Sequence, residues 1–251
     1  MNSGIILKTP DEIGWMRHAG QVLRATLDLL EKSVRPGIST LELDRIAEEF
    51  IRSHPGCTPG FKGYRGFPGS LCASVNEEVV HGIPDERHIL DEGDIVGLDC
   101  GVFYRGFHTD AARTVLVGAV QPEVQHFVKT VKKALEQAIK EVREGAHVGD
   151  ISATIQKIIE QQGYSPVVEC TGHGVGKNLH EPPEILNAGR RGTGPRLTVG
   201  MVLAIEPIAN MGRCEVETLQ DRWTIASADG TPSAHFEHTV AVTAKGCEVL
   251  T

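Results

Sequence analysis

The chain has 251 residues, with 25 Lys plus Arg against 33 Asp plus Glu, a net charge of −8, and 40% hydrophobic residues. That composition is ordinary for a globular protein with a sizeable core, and its acidity excludes a broad phosphate-neutralising surface, so no nucleic-acid partner is expected. No apolar run approaches the ~20 residues of a membrane span, no signal peptide opens the chain, and its six cysteines form no C-x-x-C pair. A cytoplasmic protein with reduced thiols is expected. Arg190, Arg191 and Arg196 fall in a glycine-rich loop and read as a solvated surface.

Thr9-Pro10-Asp11-Glu12 is a capping box with Pro at the first helical position. It predicts a helix carrying Ile13, Met16, Leu23, Leu27 and Leu30 on one face. Ser39-Thr40-Leu41-Glu42 predicts a second capping box and a helix to about Ile51. A Gly/Pro-rich loop follows over 55–69, then a strand at 71–75 and a hairpin over 93–110. Helices are predicted over 122–144 and 150–162, with strands and loops to the end. No linker divides the chain, so 1–251 reads as a single domain.

A faint repeat runs through it. Val34-Arg35-Pro36-Gly37 matches Val142-Arg143-Glu144-Gly145 at an offset of 108, and Gly93–Asp99 matches Gly200–Glu206 at 107. Two matches in one order at nearly one offset predict duplicated α+β halves, roughly 10–120 and 121–251. Asp99 and Glu206 would then occupy equivalent places beside a pseudo-twofold axis.

Acids interrupt apolar strands at four places. With a four-residue hairpin tip, Phe103 to Gly106, Asp99 faces Asp110 on one side of the sheet, while Arg113 points to the other. Two such carboxylates repel, and burial raises the cost of both charges. Glu206 ends the apolar run 201–205, and Glu237 sits in "SAHFEHTVAVT"; His173 stands between glycines in "TGHGVGKNLHEPP". An oxygen-rich set with one imidazole suits Mn, Fe(II), Co or Mg better than structural Zn. Four carboxylates are balanced by two divalent ions, and such pairs generate a nucleophilic hydroxide. Taken singly, each of these residues is more simply a surface acid or a structural histidine; the weight lies in their repetition. No intact phosphate loop, H-E-x-x-H helix or G-x-S-x-G elbow is present.

The runs "SVNEEVVHGIPD", "GDIVGLDCGVFYRGFHTDAARTVLVG", "TGHGVGKNLHEPP", "VGMVLAIEPI" and "SAHFEHTVAVT" together resemble type I methionine aminopeptidases over nearly the whole chain. The resemblance implies the pita-bread fold: α+β, pseudo-symmetric, with helices outside an antiparallel sheet. It implies two divalent ions (Co, Mn or Fe(II)) on Asp99, Asp110, His173, Glu206 and Glu237. It further implies removal of the N-terminal methionine of nascent proteins and peptides with a small second residue, by attack of a metal-bridging hydroxide. Glu206 matches the proton shuttle, His180 the partner of the scissile carbonyl, and His81 that of the amide nitrogen. The matching methionine pocket is Phe61, Tyr64, Phe67, Cys72, Leu179 and Trp223.

The chain departs from the family pattern at Phe61, Phe67, Val80, Leu179 and His235, where Cys, Tyr, Cys, Phe and Gln are common. His235 shares a strand face with Glu237 and is expected to act on the ligands from outside. Only 32 residues separate His173 from Glu206 and 30 separate Glu206 from Glu237, which leaves no room for the type II insertion. No zinc-finger extension is expected, and Xaa-Pro peptidases of this fold carry more than the 98 residues that precede Asp99. A binding protein on the same scaffold would have lost ligands. Nothing in the sequence demands a dimer, so a monomer is expected, and the resemblance implies the ribosome as the docking partner of an enzyme acting on nascent chains.

Overall fold

In the computed structural model, which describes residues 4–251, two helix pairs cover sheets whose pairings are antiparallel throughout. Helix α1 (Pro10–Ser33) begins at the expected box: the Glu12 N–H donates to Thr9 Oγ1 at 3.3 Å, and the Thr9 N–H donates to Glu12 Oε2 at 2.8 Å. Helix α2 (Thr40–Arg52) starts on Ser39, whose hydroxyl accepts the Glu42 N–H at 3.1 Å. Only that half of the second box forms, because the Glu42 carboxylate faces Arg45 at 3.7 Å instead. Helix α3 (Pro122–Lys140) stops short of 144, and the chain turns through Gly145 at φ 83°. Helix α4 (Val148–Glu160) starts two residues before 150, since Asp150 Oδ2 accepts the His147 N–H at 2.8 Å and caps the earlier turn.

The strands in chain order are β1 (Cys57–Pro59), β2 (Leu71–Val75), β3 (Glu78–Val80), β4 (Ile95–Tyr104), β5 (Phe107–Leu116), β6 (Ser165–Pro166), β7 (Gly172–Gly174) and β8 (Glu181–Ile185). They continue with β9 (Val202–Ile205), β10 (Ile208–Asn210), β11 (Val216–Thr218), β12 (Ile225–Ser227), β13 (Ser233–His235), β14 (His238–Thr243) and β15 (Gly246–Val249). Strand β4 carries β5 along one edge and β1 and β2 along the other; the second half orders β15-β14-β9-β7-β8.

Each helix pair seals its own core. Leu23, Leu30, Leu43 and Ile51 of the first pair pack on Leu71, Val96 and Leu98. Phe127, Val131, Ile151 and Ile155 of the second pack on Leu203, Ile205 and Val240. Each of these side chains contributes about 1.5–3 kcal/mol by leaving water. The two cores follow the sequence repeat, α1–α2 over β4 and α3–α4 over β9.

The β4–β5 hairpin corrects the expected register. It turns on two residues, Arg105 at φ 50° and Gly106 at φ 89°, a tight pair of left-handed positions that suits the twist of the strands. The ladder therefore runs out to Tyr104 and Phe107, so Asp99 faces Ala112 and Asp110 faces Gly101. The two acids share a face as diagonal neighbours, at the ~7 Å Cβ spacing of that relation rather than the ~5 Å of direct partners.

The halves meet along a seam between 110–114 and 235–239. At its centre the Glu237 N–H donates to the Ala112 carbonyl at 2.9 Å, and the Ala112 N–H to that of Glu237 at 3.4 Å. On either side a threonine hydroxyl stands in for the backbone. Thr239 Oγ1 accepts the Asp110 N–H at 2.9 Å and donates to its carbonyl at 2.8 Å. Thr114 Oγ1 accepts the His235 N–H and donates to its carbonyl, both at 2.9 Å. All three facing pairs hold a residue of the site described below.

Thr239→Val keeps the shape and removes the hydroxyl, leaving two buried backbone groups of Asp110 unpaired at a cost of about 1–3 kcal/mol. Calorimetry should show a melting temperature lower by ~2–10 °C. A variant as stable as the parent would show that the hydroxyl bridge carries no weight.

Candidate metal centre and pocket

A cavity of about 300 Å³ lies against the seam, and every site residue expected from the sequence lines it. Asp99 comes from β4, Asp110 from β5 and His173 from β7; Glu206 occupies the step between β9 and β10, and Glu237 that between β13 and β14. Ligand-type atoms of Asp110, His173 and Glu237 lie within 4.8 Å of one another. His173 Nε2 stands 3.5 Å from Glu206 Oε1 and 3.9 Å from Asp110 Oδ2. His173 Nδ1 lies 2.9 Å from the Gly174 carbonyl, which can only accept, so the proton sits on Nδ1 and Nε2 offers a lone pair.

Four carboxylates in one cavity have little to balance them. Among the described residues no lysine or arginine pairs with any of the four; Arg113 turns to α1, 2.6 Å from Asp28 and 3.2 Å from Glu31. Asp99 Oδ1, Asp110 Oδ1 and Glu237 Oε1 are buried without a hydrogen-bond partner. Burial pushes Asp99, Glu206 and Glu237 well above the usual carboxylate range, and the neighbouring acids push them further. Burial likewise raises Asp110, to about 7. It lowers His173, keeping the imidazole neutral. Orphaned acceptors converging on a neutral imidazole fit divalent cations with oxygen-rich coordination.

Beside the acids lies an apolar recess. Phe61, Phe67, Cys72 and Leu179 are buried together, with Tyr64, Ile83 and Trp223 against them. Phe67 and Trp223 meet edge to face, with ring centroids 5.2 Å apart. The recess and the acids share a wall at Gly101, two residues after Asp99 on β4. A Cβ there would come within 2.9 Å of the Phe61 ring and 3.1 Å of the Thr109 carbonyl, so only glycine leaves the ring its place. The Gly60 N–H also donates to the Gly101 carbonyl at 2.8 Å.

Two further histidines border the cavity. His180 Nδ1 lies 3.0 Å from the Tyr64 hydroxyl, and its ring is 4.2 Å from that of His173. Burial holds its pKa near 3, so it is neutral. His81 follows β3 at φ 62°, a costly conformation outside glycine, with its ring edge-on to Trp223. Burial lowers its pKa as well. His235 joins the lining from the end of β13, its Nε2 3.5 Å from Glu206 Oε2.

The loop bearing Leu179 and His180 is held by a buried ion pair that no sequence pattern signals. Lys8 Nζ lies 2.7 Å from Glu181 Oε2, the two side chains 3% and 1% exposed. Glu181 Oε1 accepts the Asn178 N–H at 3.0 Å. Partners 173 positions apart leave no local trace. Arg65, Glu169, Cys170 and Thr171 also line the cavity. Of these, Thr171 opens the His173 motif and Cys170 adjoins it, whereas Arg65 and Glu169 carry no signal of their own.

The acid-rich cluster inside this α+β fold defines a metal-dependent hydrolase class, and the chain belongs to metallopeptidase family M24, whose model matches residues 14–244. The chain is 51% identical to a methionine aminopeptidase of Clostridium perfringens over 98% of both chains. It superposes on the crystal structure of a methionine aminopeptidase from Thermotoga maritima with TM-score 0.97 at 41% identity, covering 98% of this chain and 99% of that one. An Xaa-Pro dipeptidase from Bacillus anthracis shares the fold at TM-score 0.78 and 25% identity, with 61% of its chain covered. The fold is thus the pita-bread fold expected from the sequence. No helix among the described residues is long and apolar enough to cross a membrane.

The raised carboxylates fix a pH dependence for metal-stripped protein. Asp110 ionises near 7 when folded and near 3.8 when unfolded, so the folded state binds the extra proton between those values. Buried histidines such as His180 titrate with the opposite sign, so the carboxylate contribution is read as the difference between Mn-loaded and stripped protein. The gap in melting temperature between the two should widen as pH rises from about 4 to 7, because the ion replaces protons that the cluster otherwise binds. A gap that stays constant or narrows over that interval would mean that the cluster is not strained by its own charge.

Proposed function

We propose that this chain removes the N-terminal methionine from peptides and nascent proteins with a small second residue. The observation that carries this reading is the apolar recess opening directly onto the acid–imidazole cluster, which places one unbranched apolar side chain beside a hydrolytic site. Relatives named methionine aminopeptidase over the full chain support it. The chain acts as one catalytic unit with halves at 10–120 and 121–251. A monomer in the cytoplasm, meeting nascent chains at the ribosome, fits this activity.

Asp99, Asp110, His173, Glu206 and Glu237 would hold two divalent ions, with Co, Mn and Fe(II) all suited to the donor set. Such ions supply a nucleophile at neutral pH and positive charge opposite the developing oxyanion. The chain's own groups do the rest. Phe61, Phe67 and Trp223 surround the methionine thioether, a contact aromatic rings favour, while Tyr64, Cys72 and Leu179 complete the recess. With Tyr64 engaged at Nδ1, neutral His180 keeps a proton on Nε2 to donate to the scissile carbonyl oxygen. His81 bonds the scissile amide nitrogen. Glu206 takes the proton of the attacking water on a carboxylate oxygen and delivers it to the leaving amine. With Tyr64, His81 and His180 bordering the scissile bond, a small residue after the methionine fits best.

The test is Met release from Met-Ala by metal-stripped protein titrated with Mn or Co, with an Xaa-Pro peptide alongside. Release should saturate near two equivalents; cleavage of the Xaa-Pro peptide alone would overturn the assignment. Asp110→Asn should stay folded, lose one ion by elemental analysis and lose nearly all activity. Full activity in that variant would sink the ligand set. His81→Ala should lower kcat, by ~10²-fold or more, at unchanged metal content. Loss of metal in that variant would give His81 a different role.

A further inference from the structure

His235 has no part in the reaction above, yet it is among the most confined polar side chains of the cavity. It is 4% exposed, and its Nε2 has no hydrogen-bond partner. That atom lies 3.5 Å from Glu206 Oε2 and 4.0 Å from Glu237 Oε2. The other oxygen of Glu206, Oε1, stands 3.5 Å from His173 Nε2. One carboxylate is thus flanked by two imidazoles, one toward each oxygen.

The two rings are set up for different tasks. His173 spends its Nδ1 proton on the Gly174 carbonyl and offers a lone pair from Nε2. His235 Nε2 faces carboxylate oxygens, which in their ionised form only accept, so there Nε2 is the atom that must carry the proton. The backbone behind the ring is pinned on both sides, since the Thr114 hydroxyl bonds the His235 N–H and carbonyl. Strand β10 adds a pairing of Ile208 with His235. The ring has little freedom to withdraw from Glu206.

We propose that His235 is a positioning residue for Glu206: its Nε2–H holds Oε2, so that Oε1 stays turned toward His173 and the ligand cluster. The proposal rests on the reading of Glu206 as ligand and proton carrier given above. A carboxylate anchored at its outer oxygen keeps one orientation through binding and proton transfer, and loss of such an anchor typically costs 10–100-fold in metal affinity or activity. Direct ligation is the competing role. Against it stands the placement of the nitrogen, which lies at the opposite oxygen of Glu206 from the ligand-type nitrogen of His173.

The test compares His235→Leu and His235→Gln with the parent, all as full chains. Calorimetric titration of metal-stripped protein with Mn reads affinity; Met-Ala hydrolysis at saturating Mn reads kcat and KM. The Leu variant should bind Mn ~10–100-fold more weakly and lose kcat with KM nearly unchanged. The Gln variant, whose amide can donate to the same oxygen, should recover most of both. A Leu variant matching the parent overturns the proposal, and so does a Gln variant as impaired as Leu. Pulsed EPR of Mn-loaded parent with 15N-labelled histidine should show one coupled imidazole. A second coupled imidazole that is present in the parent and absent from the His235→Gln variant would make His235 a ligand and overturn the proposal. A parent that binds Mn but releases no methionine would sink the aminopeptidase reading, while affinity and EPR would still decide the placement of His235.

Discussion

Mutual repulsion among four buried carboxylates is the constraint around which this structure is organised. Left to themselves, Asp99, Asp110, Glu206 and Glu237 would swing toward water or take up protons. The fold denies the first escape by placing each on, or one step beyond, a strand whose backbone is bonded on both sides. Asp110 and Glu237 lie on the seam itself, and each half holds the other's acid in place. A chain built this way gives up stability in the metal-free state, and the two sealed cores, one under each helix pair, offset that loss.

Much of this was legible in the sequence because the acids break apolar strands, and a buried strand has few reasons to tolerate a charge. The repeat around Asp99 and Glu206 gave the duplication for the same reason: the motif is short, but the acid is conspicuous. What escaped was set by contacts between distant residues or by turn geometry. The length of the β4–β5 turn hinged on whether Arg105 would accept a left-handed backbone beside Gly106, which composition alone leaves open. Thr114 and Thr239 look like ordinary strand threonines until the facing strand is known. Lys8 and Glu181 are unremarkable apart, and only the fold makes them a pair.

The pocket shows where fold and selectivity separate. The same architecture in an Xaa-Pro dipeptidase shows that the scaffold by itself names no substrate. In this chain the apolar recess comes mainly from the loop around Phe61 to Phe67, from β2 and from Leu179, elements that can vary without disturbing the seam. His180 is the exception. It is hydrogen-bonded to Tyr64 of the recess, packs beside His173 and sits on the loop tied down by Lys8, so recess and acid–imidazole cluster are mechanically linked there.

Gly101 ties them a second time. Asp99 and Gly101 lie two residues apart on one face of one strand, and the bare α-carbon is what lets the Phe61 ring settle against it. Strand geometry fixes that separation at ~7 Å along the chain. The wall of the recess and a carboxylate of the cluster are thus two marks on one rigid rule. On the proposed function, side-chain length would be measured from the bond to be cut, and the gauge could not be recalibrated by moving either mark alone.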